Sequence, residues 1–180
     1  MGASYHLRKD DSLSVAEASG TAGLPLPNKI RRMVLDLVFK TKSPHIGSSF
    51  SCIELLIGLY FKVMNVSPSN PFNPDRDRFI LSKGHACSAL YAVLAERGFL
   101  NDETLNGFAK DGGSLEQHPN QDVSKGIEIS TGSLGHGLSI GAGMALAAKT
   151  DKKNYKTYVL LGDGELNEGS VWEAVMFAAH

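Results

Sequence analysis

The 180-residue chain carries 18 Lys and Arg against 19 Asp and Glu, a formal net charge of −1, with 42% hydrophobic and 21% charged residues. These proportions exclude a disordered tail and a collagen, and apolar runs such as Leu55 to Phe61, with Gly58 inside it, are too short to cross a bilayer. The balanced charge leaves no electrostatic footprint for nucleic acid or an anionic membrane, so neither is expected as a partner.

Residues 1–27 are polar and small and end in Gly23-Leu24-Pro25-Leu26-Pro27, which reads as a flexible lead-in. No apolar core with a cleavage site is visible in it. Position six after Met1-Gly2 is His6, not the Ser or Thr of a myristoylation signal. Cys52 and Cys87 are too few for a disulfide scaffold and lie in apolar stretches. Buried free thiols and a cytoplasmic setting are therefore expected.

Asn28 is placed to cap a helix whose apolar face is Ile30, Met33, Val34, Leu37 and Val38, with its end near Lys42, because Ser43 precedes Pro44. Ser51-Cys52-Ile53-Glu54 has capping-box spacing. The helix it would open, to about Val63, is apolar nearly all round, which predicts deep burial. A proline-rich loop, Ser67 to Pro74, leads to a short strand, Arg78 to Leu81. Ala86 to Arg97 reads as a helix closed by Gly98, and Asp102 to Ala109 as another. Residues 111–137 are rich in loop formers. Leu138 to Lys149 reads as a small-residue helix whose Gly137/Gly141 and Gly143/Ala147 steps suit close helix–helix approach. Tyr155 to Leu161 reads as a strand, and a last helix starts near Ser170. That helix is apolar and meets no glycine or proline, so it reads as cut in mid-course. Only two strands are evident, and a parallel sheet needs more, with both faces covered. The expectation is part of a larger α/β unit, helices around an incomplete parallel sheet.

Strand, Gly162-Asp163-Gly164, then helix is a geometry for binding phosphate at a helix N-terminus. The dinucleotide fingerprint fails, because Asn167 stands where its third glycine belongs, and no P-loop lysine follows. Asp163, Glu165 and Glu168 crowd the turn and would repel bare phosphate. A divalent cation on Asp163 resolves the conflict, as Mg²⁺ commonly takes one or two carboxylates plus phosphate oxygens. The alternative is a plain turn with solvated acids. His45, His85, His118 and His136 each lie in a loop marked by glycine or proline, and none pairs with another at metal-ligand spacing. Four such contexts suit a shared polar pocket for a sugar phosphate. His6 and His180 lie in the terminal segments and are assigned nothing.

Four segments in order carry a family resemblance: Ser43-Pro44-His45-Ile46-Gly47, Arg76 to Ala86 with Ser82-Lys83-Gly84-His85, Ser130-Thr131-Gly132-Ser133-Leu134-Gly135-His136-Gly137, and Gly162-Asp163-Gly164-Glu165-Leu166-Asn167-Glu168-Gly169. Over residues 28–180 the chain resembles the N-terminal, diphosphate-binding section of transketolase, especially the split type whose halves are separate polypeptides. The resemblance implies a thiamine diphosphate-binding α/β fold with thiamine diphosphate and Mg²⁺ or Ca²⁺ as cofactors. Asp163 matches a metal-binding aspartate and Gly164 a backbone donor to the diphosphate. His85 matches a histidine that contacts the diphosphate and the reacting centre. His45 and His118 match histidines of the substrate channel, so all three histidines are assigned as catalytic. Gly132 and Leu134 match positions near the cofactor's pyrimidine. Glu168 matches a glutamate of the interface between subunits and is grouped with the cofactor-binding positions.

The family's usual glycine-histidine-proline-glycine departs here to Pro44-His45-Ile46-Gly47, and His136 stands where many members carry glutamine. The asparagine that completes the family's metal motif would lie beyond residue 180, so the chain reads as C-terminally truncated. The implied activity is transfer of a two-carbon ketol unit from a ketose phosphate to an aldose phosphate in the pentose phosphate pathway. It requires a C-terminal transketolase subunit in a homo- or hetero-oligomer. This chain by itself is expected to be inactive. Two alternatives stand beside that reading. One is a truncated, catalytically incompetent fragment or interaction module. The other is a relative using the same cofactor, such as a dihydroxyacetone or deoxyxylulose phosphate synthase.

Overall fold

A computed structural model describes residues 23–180, so most of the expected lead-in, residues 1–22, lies outside the described residues. Helix α1 spans Leu26–Thr41 and starts two residues ahead of Asn28. Pro27 lies in its first turn, where a missing N–H costs nothing, and no side chain caps it. Lys42 closes it in the left-handed region. Helices α2 (Ile46–Phe50) and α3 (Ile53–Gly58) follow, and α3 widens into a π turn over Leu59–Val63.

The capping box does not form. Cys52 flanks α3 without a side-chain cap, while Ser51 Oγ donates to Ser48 O and accepts from Lys83 Nζ. Glu54 pairs with Arg31 instead. Nor is this segment buried all round. Ile53, Leu56 and Tyr60 enter the core, but Leu55 is 56% exposed. By composition alone Ile46–Val63 has the length and apolarity of a membrane span. Here it is broken into three pieces that pack against α1 and the following central helix.

That central helix is α4 (Cys87–Arg97), buried at every position from Cys87 to Leu94 and ended by Gly98 in the left-handed region. Its small residues let neighbours come close: Ser88 Oγ lies 2.8 Å from Ser49 Oγ, both buried. Helix α5 is shorter than expected, Asp102–Asn106, and Asn101 caps it by accepting from Thr104 N.

Strands β1 (Arg78–Leu81) and β2 (Thr157–Leu160) pair in parallel, Arg78 opposite Thr157 and Leu81 opposite Leu160. Buried Asp77 ties their starts together by accepting from Asn65 N at 2.8 Å and Lys156 N at 2.7 Å. The two-residue period of a strand sends alternate side chains to opposite faces. Phe79 and Leu81 join the core of α1, α3 and α4, with Phe79 edge-on to Tyr60. Ile80 and Val159 meet helix α6 (Gly137–Thr150) on the other face.

Gly141 of α6 therefore serves helix–strand contact rather than helix–helix contact, since its added Cβ would fall 2.4 Å from Val159 Cγ2, while Gly137 lies against Ser82 and Gly143 faces open space. Helix α7 (Gly169–Ala179) packs on α6 through Val171 and Ala174 and leaves Trp172, Met176 and Phe177 more than half exposed. The result is a layered α/β unit in which β1 is the only strand partner of β2 among the described residues. Cys52 and Cys87 are both buried and unpaired, as expected.

Candidate functional site

Parallel pairing brings the C-terminal ends of both strands to one edge, where open α/β sheets place their ligands. From β1 the chain runs into Ser82-Lys83-Gly84-His85, and from β2 into Leu161-Gly162-Asp163-Gly164. Between these exits lies a cleft of about 390 Å³, lined by Gly47, Ser48, Ser51, Lys83, His85, Leu134 and the run from Gly162 to Glu165. Larger grooves of about 530 and 800 Å³ lie elsewhere and contain no histidine.

His45 sits at the start of α2 with φ of 74°, a left-handed conformation that a non-glycine residue adopts at a cost. This turn brings its imidazole onto His85, ring centroids 5.1 Å apart. Gly84 lies so close to Thr131 and Gly132 that an added Cβ would come within 2.8 Å of the Thr131 carbonyl carbon. Gly132, at φ of +147°, in turn backs onto the ring of His118, with 2.9 Å from an added Cβ to His118 Cδ2. His45 and His118 thus come near His85 from separate loops, and of the four expected histidines His85 alone lines the cleft.

Burial holds His85 below the usual imidazole range, and the positive potentials of His45, Lys83 and His118 add to this, with Glu165 opposing. A base with a depressed folded-state pKa binds fewer protons than the unfolded chain. Its contribution to stability is therefore full above the ordinary imidazole pKa and is lost as pH falls through the depressed value. We expect the His85 ring-proton resonances to titrate below those of an exposed histidine. His45→Ala should move that midpoint up. An unshifted midpoint in the parent chain would remove the cluster effect.

Three acids were expected to crowd the turn, and the structure separates them. Asp163 is exposed in the cleft. Glu165 is 2% exposed and spends its carboxylate on protein donors: Oε1 accepts from Ser82 Oγ and from Gly135 N at 2.9 Å, and Oε2 from Gly162 N at 3.0 Å. Glu168 is outside the cleft lining, at the start of α7 with its side chain against Gly135. Gly164 faces open space, and Leu134 is 37% exposed beside it on the cleft. His136 precedes α6, exposed and outside the lining.

Lys83 and Ser51 belong to this site although the sequence pattern assigned them no role in it. Lys83 is 7% exposed and its ammonium donates to Ser51 Oγ at 3.0 Å. No carboxylate lies within ion-pair distance of it among the described residues. A buried cation with one neutral acceptor is costly unless an anion joins it. The signal for it was a lysine set between a strand and Gly84-His85.

This arrangement fits a diphosphate, with Lys83 as the counter-charge and the Gly162–Gly164 turn as the close backbone approach. Among the described residues no three His, Cys, Asp or Glu side chains converge on a point. A cation on Asp163 would thus depend on phosphate oxygens, which suits Mg²⁺.

The family described as "Transketolase, thiamine diphosphate binding domain" matches residues 25–180. The chain is similar to an apulose-4-phosphate transketolase subunit of Phocaeicola vulgatus, 50% identical over 148 residues, which cover 82% of this chain and 52% of that protein. It is also similar to the 6-deoxy-6-sulfo-D-fructose transketolase subunit SqwG of a Clostridium species, 44% identical over 84% of this chain and 55% of that one. Among solved structures, transketolase from Leishmania mexicana superposes with a TM-score of 0.74 at 34% identity, over 86% of this chain and 25% of that chain. The chain spans about half the length of the two subunits.

Proposed function

We propose a function from one premise: the chain belongs to the transketolase family, in its thiamine diphosphate-binding part. On this reading it holds thiamine diphosphate in the cleft between the β1 and β2 exits. Joined to a C-terminal transketolase subunit, it carries out transfer of a two-carbon ketol unit from a ketose phosphate to an aldose phosphate. The observation that carries the proposal is the meeting of Lys83, which has no carboxylate partner, the Gly162-Asp163-Gly164 turn and His85 around one cleft, with the His45 ring tilted against that of His85 at 5.1 Å.

Thiamine diphosphate, when bound, supplies the carbanion stabilisation that cleaves a carbon–carbon bond beside a carbonyl. Lys83 offsets the charge of the diphosphate. Gly164, with no Cβ and open space beside it, admits the phosphate to the backbone. Asp163 holds a divalent cation, Mg²⁺ or Ca²⁺, against it. Leu134 lines the cleft, and it and Gly132 are the positions proposed to lie near the pyrimidine.

His85 is kept neutral near pH 7 by burial and positive neighbours. It can therefore accept a proton from a donor hydroxyl as the bond breaks, while His45 and His118 hold the sugar's hydroxyls. Glu168, exposed at the start of α7, is available to an adjoining polypeptide. The relatives named as subunits support a second polypeptide, and two buried, unpaired thiols support a cytoplasmic setting.

Mixing the chain with a C-terminal subunit, thiamine diphosphate and Mg²⁺ is expected to give ketol transfer between sugar phosphates, read as product formation by coupled assay. Turnover equal to that of the isolated C-terminal subunit would refute the proposal. Apulose and sulfo-sugar derivatives belong in the donor panel beside ordinary ketose phosphates, since the relatives are named for them.

A further inference from the structure

One side chain fastens three walls of the cleft together, and we propose that Glu165 is a positioning residue that sets the cofactor-binding loops in register before the cofactor enters. The inference rests on reading the cleft as the thiamine diphosphate site.

Glu165 takes hydrogen bonds from Ser82 on the exit of β1, Gly135 in the loop before α6, and Gly162 on the exit of β2. Each donor adjoins a cleft residue: Lys83 follows Ser82, Leu134 precedes Gly135 and Asp163 follows Gly162. The Gly162 contact spans only 3 residues, but Ser82 and Gly135 lie 83 and 30 residues away, so no local turn could impose those two contacts.

Only a carboxylate fits this arrangement. It is acceptor-only, and its two oxygens meet three donors. A carboxamide would keep one oxygen and turn an NH₂ group toward a donor, leaving a buried N–H without an acceptor. Gly135, at φ of +85°, contributes an amide whose direction other residues adopt only with strain.

A buried carboxylate is also an unfavourable way to provide stability alone, since apolar packing commonly does as well. Its placement in the wall of a proposed anion site is better explained by precision. Groups that bind a ligand gain when their geometry is set beforehand. The oxygens of Glu165 are taken up by its donors and the residue is 2% exposed, which leaves Asp163 as the exposed acid of the cleft lining.

The test uses the full chain with its C-terminal partner, and compares the parent with Glu165→Gln and Ser82→Ala. Amide hydrogen exchange is read at Gly135 and Gly162, and thiamine diphosphate affinity by calorimetry at fixed Mg²⁺. For Glu165→Gln we expect exchange about tenfold or more faster at one or both amides, α4 amides unchanged, and cofactor affinity down by about tenfold or more. Ser82→Ala leaves both amide bonds in place and should weaken binding only about threefold.

A Glu165→Gln protein that melts earlier yet binds cofactor like the parent has lost structure only, and overturns the proposal. If Glu165→Gln does not fold, Ser82→Ala decides: weakened binding supports the role and parental affinity overturns it. A parent assembly that binds no thiamine diphosphate refutes the reading of the site itself and the role of Glu165 with it. Parental binding matched by Glu165→Gln refutes the role alone.

Discussion

Asp163→Asn is expected to cost thiamine diphosphate affinity about 100-fold or more in the presence of Mg²⁺, while leaving the fold intact. Loss of an outer-shell partner alone typically weakens a metal site about 10–100-fold, and this change removes the proposed ligand itself. Asp163 is the exposed acid of the cleft, since Glu165 is consumed by its three donors and Glu168 lies outside the lining. No group of three His, Cys, Asp or Glu is on hand to hold an ion without it among the described residues. The Asp163 backbone accepts from Leu166 N and would still do so in the variant. Calorimetry with and without Mg²⁺, beside circular dichroism, checks both halves. Parental affinity in the variant would take the cation away from Asp163. Unchanged affinity on Mg²⁺ removal in the parent would do the same.

Gly84→Ala has the second-largest expected effect, a loss of stability together with loss of cofactor binding. The added Cβ would fall 2.8 Å from the carbonyl carbon of Thr131 and 2.9 Å from Gly132 N, both backbone atoms that no rotamer change can move aside. Forcing such an atom into a packed wall costs about 1–3 kcal/mol, a substantial part of the roughly 5–15 kcal/mol that holds a domain folded. The 131–132 segment must retreat. Gly132 carries the ring of His118 with it, and Gly84 anchors Lys83 and His85. Gly164→Ala is the matched control for stability, because nothing lies within 4 Å of its added Cβ. Urea midpoints at constant m-value compare the two. Equal midpoints for Gly84→Ala and the parent would show that the wall is looser than its geometry implies.

The legible parts of the fold were those written in short spacings. Gly98 ends α4 where expected because the left-handed region it occupies is cheap only for glycine. Strands β1 and β2 fell inside their expected segments, trimmed at the ends of the second. Loop context singled out His45, His85 and His118 as candidates, and the flanking glycines singled out Asp163; the structure puts His85 and Asp163 on the cleft lining and His45 against His85. Spacing misled where a partner distant in sequence displaced a near one. Ser51 and Glu54 had the form of a capping box, yet Lys83 and Arg31 took their side chains. The nearly all-apolar stretch through Leu55 and Phe61 suggested deep burial, yet Leu55 is 56% exposed, and it is α4, with three alanines and Ser88, that is buried from Cys87 to Leu94.

Sequence by itself determined the chemistry of the loops and the family, because a glycine, a histidine or an acid at a given position is a covalent fact with local conformational consequences. Only the tertiary structure decided which of Asp163, Glu165 and Glu168 is exposed on the cleft, that Lys83 is buried beside it, and that Gly141 of α6 meets a strand. Those outcomes depend on burial and hydrogen bonds between segments as far as 83 residues apart, and such contacts exist only once parallel pairing has brought the two strand exits to one edge.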